Sequence, residues 1–353
     1  MNSEKKPDTQ SSRQSQSALS PAIVIQRPSQ VSRLVWRLLL FALLVSIVLN
    51  FSFYSRYQEY FVNVSGPQEL FHSGEVDAGD KIAIIRVSGT IMPPFTGRIL
   101  KSIQRAGDDK NVKGVVLVVD SPGGLVADSH QIYHALKKLT NATDEQKKPV
   151  YVAMQRMAAS GGYYISMGAG ENGKIYVEPT TWTGSIGVII PRYDLSGLAE
   201  EWKFASDPLK TGEFKDSLSP FRKLSDNERA VWNDILDDSY RRFIGVIADN
   251  RKSLDEKAVE ELATGQIYTA DQALKNGLVD ETGYLEDAVA SLKKDLALAE
   301  VRVVTYEYPL GLIDMLSGFI EAEEPSKKWS ALLDSTVPRA MYFCSWAPGI
   351  PGW

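Results

Sequence analysis

The chain has 353 residues, 44% of them hydrophobic and 24% charged, which is enough to bury a large core and too apolar for an unfolded polymer. Its net charge of −5 is unevenly spread: positions 1–37 hold six basic residues against two acidic ones, so the rest of the chain carries −9. An acidic body argues against nucleic acid as a partner, and the one cysteine, Cys344, excludes an intrachain disulfide.

Residues 1–33 are rich in Ser, Gln and Pro and are expected to form a disordered tail. Positions 34–53 read LVWRLLLFALLVSIVLNFSF, which as a helix is ~30 Å long, one bilayer core. Arg37 can snorkel, and Trp36 and Tyr54 mark the interfaces. The segment leaves through Phe51, Phe53 and Tyr54 without a small-residue cleavage site, so 34–54 is predicted to be a retained transmembrane anchor rather than a cleaved signal peptide. Its basic flank is N-terminal, which predicts a cytoplasmic tail. The expectation is a single-pass protein of the inner (cytoplasmic) membrane with its body on the periplasmic, extracytoplasmic side. Residues 55–80 read as a tether.

From Lys81 onward the pattern alternates: strand 82–87, helix 96–106, strand 114–119, helix 125–139, strand 150–154, and a helix from Ser160. That order predicts an α/β domain, a parallel sheet with covering helices. Ser225-Asp226-Asn227-Glu228 is a capping box opening a helix to about 251. Its stripe of Trp232, Ile235, Leu236, Tyr240, Phe243 and Ile247 reads as core, or as a face for a neighbouring subunit. A helix–turn unit at 270–280 and a helix at 285–296 complete a domain spanning 81–297. Residues 298–353 are left as a C-terminal extension. Its apolar, Pro-containing end, 338–353, is expected to be exposed and either to dock on a neighbour or to lie near a substrate groove.

Four short stretches carry chemistry. M-A-A-S-G-G-Y-Y places Ser160 among residues with almost no side chain, so a substrate backbone can approach and the following amide can face a developing oxyanion. The apolar strand 114–120 runs into Ser121-Pro122-Gly123-Gly124, which frees glycine amides at a sheet edge. Thr183-Gly184-Ser185-Ile186-Gly187-Val188 is a polar, Gly-rich turn feeding a further strand, and Lys210–Pro220 reads K-T-G-E-F-K-D-S-L-S-P. Taken singly, each is equally a tight turn without a ligand.

The chain has three histidines, His72, His130 and His134, and none sits near a turn that would present it to Ser160. A Ser-His-Asp triad therefore has poor candidates, and a lysine base suits the inventory better. His130 and His134 are spaced i, i+4, but Gln131 stands where a zinc peptidase needs Glu, so no metal is predicted. No Gly-Lys-Ser/Thr follows Gly123-Gly124, which argues against phosphate binding.

In this order, A-S-G-G-Y-Y-I, S-P-G-G, T-G-S-x-G-V and G-x-x-K-D-x-x-S-P resemble the signal peptide peptidase A (SppA) family of membrane-anchored serine peptidases, over roughly 81–296. The resemblance implies Ser160 as nucleophile and Lys215 as general base. It further implies Ser185 as the hydroxyl that orients the lysine, and the amides of Gly124 and Gly161 as oxyanion donors. It implies a Clp-protease/crotonase-like spiral fold, a homo-oligomer, no cofactor, and hydrophobic peptides such as cleaved signal peptides as substrates. A lysine acts as base only when neutral, so Lys215 is expected to be buried, with Asp216 turned away from it. Two other readings remain open at this point: an acyl-CoA enzyme using the same glycine amides, and a catalytically silent membrane scaffold.

Overall fold

The computed structural model describes residues 30–62, 66–142, 147–308 and 341–343, in two compact units, Met1–Val64 and Ser65–Trp353. The first unit contains helix α1, Gln30–Val62. Within it Leu34–Tyr54, of mean hydropathy 2.3, is long and apolar enough to cross a membrane. The helix starts inside the stretch expected to be disordered and runs on into the expected tether, because no Gly or Pro interrupts the chain between Pro28 and Gly66. The rest of the predicted tail, 1–29, lies outside the described residues.

The second unit contains, in chain order, β1 (Gln68–Gly74), β2 (Lys81–Ser88), α2 (Phe95–Asp108), β3 (Val112–Ser121), β4 (Gly123–Leu125), α3 (Val126–Thr140), β5 (Val150–Ala159) and α4 (Gly161–Ser166). There follow β6 (Ile175–Val177), β7 (Trp182–Gly184), α5 (Ser196–Glu201), α6 (Asp226–Ala248), α7 (Glu256–Leu262), β8 (Ile267–Thr269) and α8 (Ala270–Lys275). The last elements are β9 (Glu281–Thr282), α9 (Leu285–Asp295), β10 (Arg302–Glu307) and β11 (Met341–Phe343).

The main sheet runs β1-β10-β2-β3-β5-β6-β9, with β7 beside the end of β5 and β8 beside β7. Its centre, β10-β2-β3-β5-β6, is parallel throughout. β2, β3 and β5 are near-continuous apolar runs because helices cover both faces. Ile82, Ile84, Val116 and Val118 pack with Leu285, Ala288 and Leu292 of α9. Ile85, Val115 and Leu117 lie in the other cluster, with Ile99 and Ile103 of α2 and Ile132 and Leu136 of α3.

Two stretches are not what their sequence suggested. Residues 68–74, read as tether, form the edge strand β1, antiparallel to β10. Residues 302–307, read as part of an extension, enter the sheet between β1 and β2. β1 keeps most of its side chains exposed, so it is joined by backbone pairing and carries no hydrophobic alternation to betray it. The capping box on α6 is present, with the Ser225 side chain accepting from the Glu228 amide and Glu228 accepting from the Ser225 amide. Only the C-terminal end of its apolar stripe, Phe243 and Ile247, is buried, whereas Ile235 is 42% exposed.

Candidate active site

β5 outruns its expected length and ends at Ala159, where Ser121 pairs with Ala158 on one side and Gly184 pairs with Ala159 on the other. Ser160 is thus delivered at the C-terminal edge of a parallel sheet, where open α/β folds bind ligands. Its φ of +54° lies in a region that non-glycine residues rarely adopt. The turn is clamped on both sides: the Ser160 amide donates to the Gly184 carbonyl at 2.7 Å, and the Ser160 carbonyl accepts from the Tyr164 amide at 2.8 Å. Such strain persists only where neighbours over-determine it, and it clusters at functional sites. Ser160 is 1% exposed, and its Oγ has no hydrogen-bond partner among the described residues. A buried hydroxyl in that state is costly unless something else comes to meet it.

The glycines around Ser160 are required by close approach. A Cβ on Gly124 would stand 2.0 Å from the Ile91 carbonyl oxygen, and one on Gly161 would stand 2.6 Å from Ser129 Oγ and 3.1 Å from the Gly124 amide nitrogen. The backbones of Gly124 and Gly161 therefore approach each other closely. Their turn is held by Ser121, whose Oγ donates to the Gly89 carbonyl at 2.6 Å and accepts from the Gly123 amide at 3.1 Å. Ser121 is a positioning residue that motif reading passed over, although it stands in S-P-G-G. Ser129 was also missed; its buried Oγ lies beside Gly161 and has no hydrogen-bond partner among the described residues.

Ser185 follows Gly184 on β7 as Ser160 follows Ala159 on β5, so register alone brings the two serines to neighbouring positions. Ser185 also has positive φ, +49°, and its amide donates to the Gln266 carbonyl at 2.7 Å.

Among the described residues of the single chain, no hydrogen bond or ion pair brings Lys215 to them. It lies on the one-turn helix Glu213–Asp216, exposed, and its ammonium makes no hydrogen bond or ion pair with a described residue. The burial expected for it is absent because the surrounding segment is held at the surface by charges rather than by core. Asp216 accepts from Lys210 Nζ at 2.6 Å and from Arg222 Nη2 at 2.8 Å, so it is engaged elsewhere than at Lys215. Arg222, and Lys210 after it, hold the Asp216 carboxyl well below the usual range. Arg222 Nη1 also donates to Glu228 at 2.9 Å. That bond, with the Ser225 amide and hydroxyl, pulls the Glu228 carboxyl down to about 2 against the opposing effect of burial. Trp232 Nε1 donates to Ser217 Oγ at 2.9 Å and ties the same segment to α6.

His130 shares a hydrogen bond with the Tyr164 hydroxyl at 2.8 Å. Burial, then Arg242 and His134, lower its pKa. Among the described residues no group of His, Cys, Asp and Glu is arranged to hold a metal.

Comparison with known proteins places the chain in a family. The Peptidase family S49 model matches residues 142–299. A Synechocystis protein named as a protease is 37% identical over 244 residues, covering 67% of this chain and 83% of that protein. The chain belongs to peptidase family S49. An Enterococcus faecium protein named for signal peptide peptidase SppA is 42% identical over 208 residues, 59% of this chain and 58% of that protein. Protease 4 of Salmonella typhi is 34% identical over 247 residues, covering 68% of this chain and 38% of its own length. The chain thus spans little more than half of the Enterococcus relative and well under half of the Salmonella one. The S49 match begins just before β5 and ends after α9, so it contains Ser160, Gly161, Ser185 and Lys215 of this serine-type peptidase domain. Gly124 lies upstream of it.

Proposed function

We propose that this chain is a membrane-anchored serine endopeptidase that hydrolyses hydrophobic peptides, such as cleaved signal peptides, through an acyl-enzyme on Ser160. The observation that carries this reading is the buried Oγ of Ser160, without a hydrogen-bond partner among the described residues, on a positive-φ turn where the backbones of Gly124 and Gly161 approach closely. In the mechanism, Ser160 Oγ attacks the substrate carbonyl while the Lys215 amine takes its proton. The oxyanion accepts from the amides of Gly124 and Gly161. The lysine returns the proton to the leaving amine, and water then hydrolyses the ester. Ser185 is the hydroxyl that keeps the amine in line. The acyl-CoA reading would leave Ser160 and Lys215 idle.

Lys215 must lose water to lose its proton. The segment around it exposes Trp202, Phe204, Leu209 and Phe214, an apolar surface of the kind that marks an interface. In our reading a homo-oligomer of Clp-protease/crotonase-like spiral subunits covers this surface and completes the site, with α1 anchoring each subunit in the cytoplasmic membrane and the catalytic domain outside the cytoplasm. The test is hydrolysis of a fluorogenic hydrophobic peptide by full-length Ser160→Ala and Lys215→Ala. Each is expected to be inactive while keeping wild-type secondary structure and particle size. Wild-type turnover in either variant overturns the assignment.

A further inference from the structure

α3 follows β4 without a break, so Gly124 and Ser129 belong to one short, continuous stretch of regular backbone. Gly124 is fenced on both edges. Ile91 bridges it on one side, and on the other Tyr342, in the end of the chain expected to be exposed, is fully buried opposite it. α3 also grips α4, the helix that starts at Gly161. His130 shares its hydrogen bond with Tyr164, and Ser129 meets Gly161 itself.

That second contact is close. A Cβ on Gly161 would lie 2.6 Å from Ser129 Oγ, 3.1 Å from the Gly124 amide nitrogen and 3.1 Å from Gly123 Cα. One small volume beside Gly161 is therefore bordered by both the Ser129 hydroxyl and the Gly124 amide nitrogen, and glycine puts no more than a hydrogen atom into it.

Ser129 behaves unlike other helix serines of this chain. Ser102, Ser166 and Ser239 each donate to the carbonyl four residues back, those of Arg98, Gly162 and Ile235, at 3.1, 2.8 and 3.0 Å. The equivalent carbonyl for Ser129 is that of Leu125, and Ser129 does not use it. Its side chain is 0% exposed, and its hydroxyl has no hydrogen-bond partner among the described residues. An unpaired buried hydroxyl destabilises a fold, whereas alanine would occupy the same place without that cost. Close packing on Gly161 thus explains a small residue at 129 but not its oxygen. Ser160 Oγ is in the same unpaired state. Two such hydroxyls flank Gly161, one through the chain and one through packing.

A preorganised donor left unpaired in the resting site is satisfied when charge develops beside it. We propose that the Ser129 hydroxyl is a further oxyanion donor of this enzyme. The inference rests on the Ser160 reading above. As Ser160 Oγ adds to the substrate carbonyl and the carbonyl oxygen becomes negative, Ser129 donates a hydrogen bond to that oxygen alongside the amides of Gly124 and Gly161. The proton stays on Ser129, and the bond is released when the carbonyl re-forms in the acyl-enzyme.

Ser129→Ala in the full-length protein tests this, with Thr96→Val as the control. Thr96, on α2, also carries a buried hydroxyl without a partner among the described residues, but it is not among the atoms nearest Gly161. Ser129→Ala is expected to lower kcat on a fluorogenic hydrophobic peptide about ten- to a hundredfold, the worth of a hydrogen bond to a charged group. KM should change little, and the melting temperature should equal or exceed that of wild type, because an unpaired group has been removed. Affinity for a peptide aldehyde, which forms a tetrahedral adduct on Ser160, is expected to fall by the same factor as kcat/KM. Thr96→Val is expected to keep the wild-type kcat. A wild-type kcat in Ser129→Ala, a rate loss without a matching loss of aldehyde affinity, or an equal rate loss in Thr96→Val overturns the proposal and leaves the peptidase reading standing. Wild-type protein without hydrolysis that depends on Ser160 overturns both.

Discussion

Ser160 and Lys215 stand in regions of opposite construction. Around Ser160 the framework is mainly backbone: three strands in register, amides donating to carbonyls, and glycines where a single methyl group would collide, with the Ser121 hydroxyl fastening the glycine turn. Around Lys215 everything is side chain: Lys210, Asp216, Arg222 and Glu228 form a chain of charges over a segment with exposed aromatic residues. The first region is held by close packing, which is rigid and insensitive to salt and pH. The second is held by ion pairs, which water and salt weaken. A nucleophile needs a fixed position, whereas a base that must be desolvated can be supplied by a surface that is covered later.

The sharpest test of this contrast separates rate from stability. Lys215→Ala and Lys215→Arg are each expected to lower kcat/KM by ~10²–10⁴-fold, the usual worth of a general base, the arginine failing because a guanidinium does not give up its proton. Both variants should melt within about 1 °C of wild type, since exposed substitutions of this kind leave stability nearly unchanged. A clear drop in melting temperature would mean that Lys215 is part of the scaffold. Gly124→Ala should do the reverse and disturb both quantities. Its methyl group collides with the Ile91 carbonyl, so the amide moves, with an expected loss of ~10²–10³ in kcat and a destabilisation of ~1–3 kcal/mol. A variant with normal melting and normal rate would show that this amide is not used.

A smaller effect reads the charged region. Glu228 is held down to about 2, so its contribution to stability is complete above the ordinary carboxylate range near pH 4.5 and is lost as pH falls toward 2. Glu228→Gln should lower the melting temperature at pH 7 and flatten its decline between pH 5 and pH 2. If wild type and variant decline in parallel, the network does not fasten the Lys215 segment to α6.

Much of this arrangement was legible in one dimension. The buried strands β2, β3 and β5 announce themselves as β-branched runs, and the α6 capping box is written in four residues. What was illegible lacks a local signal. β1 joins by backbone bonds with its side chains in water, and β10 is read as extension because its partners are β1 and β2, far back in the chain. The apolar stripe of α6 looks uniform, yet only its end meets the core.

Composition and short-range spacing by themselves determined the apolar N-terminal segment, the alternating α/β domain, and the turns that bear Ser160, Gly124 and Ser185, and the resemblance of four motifs pointed to the family. These depend on hydrophobic period and on small residues at fixed offsets, both local properties. Tertiary structure alone decided that Ser121 holds the glycine turn, that Lys215 stands exposed in a single chain, and that Tyr342, far along the polypeptide, pairs with Gly124. Each of those outcomes is a pairing between segments distant in sequence, settled by which edge of backbone and which apolar pocket were left unfilled when the sheet had formed.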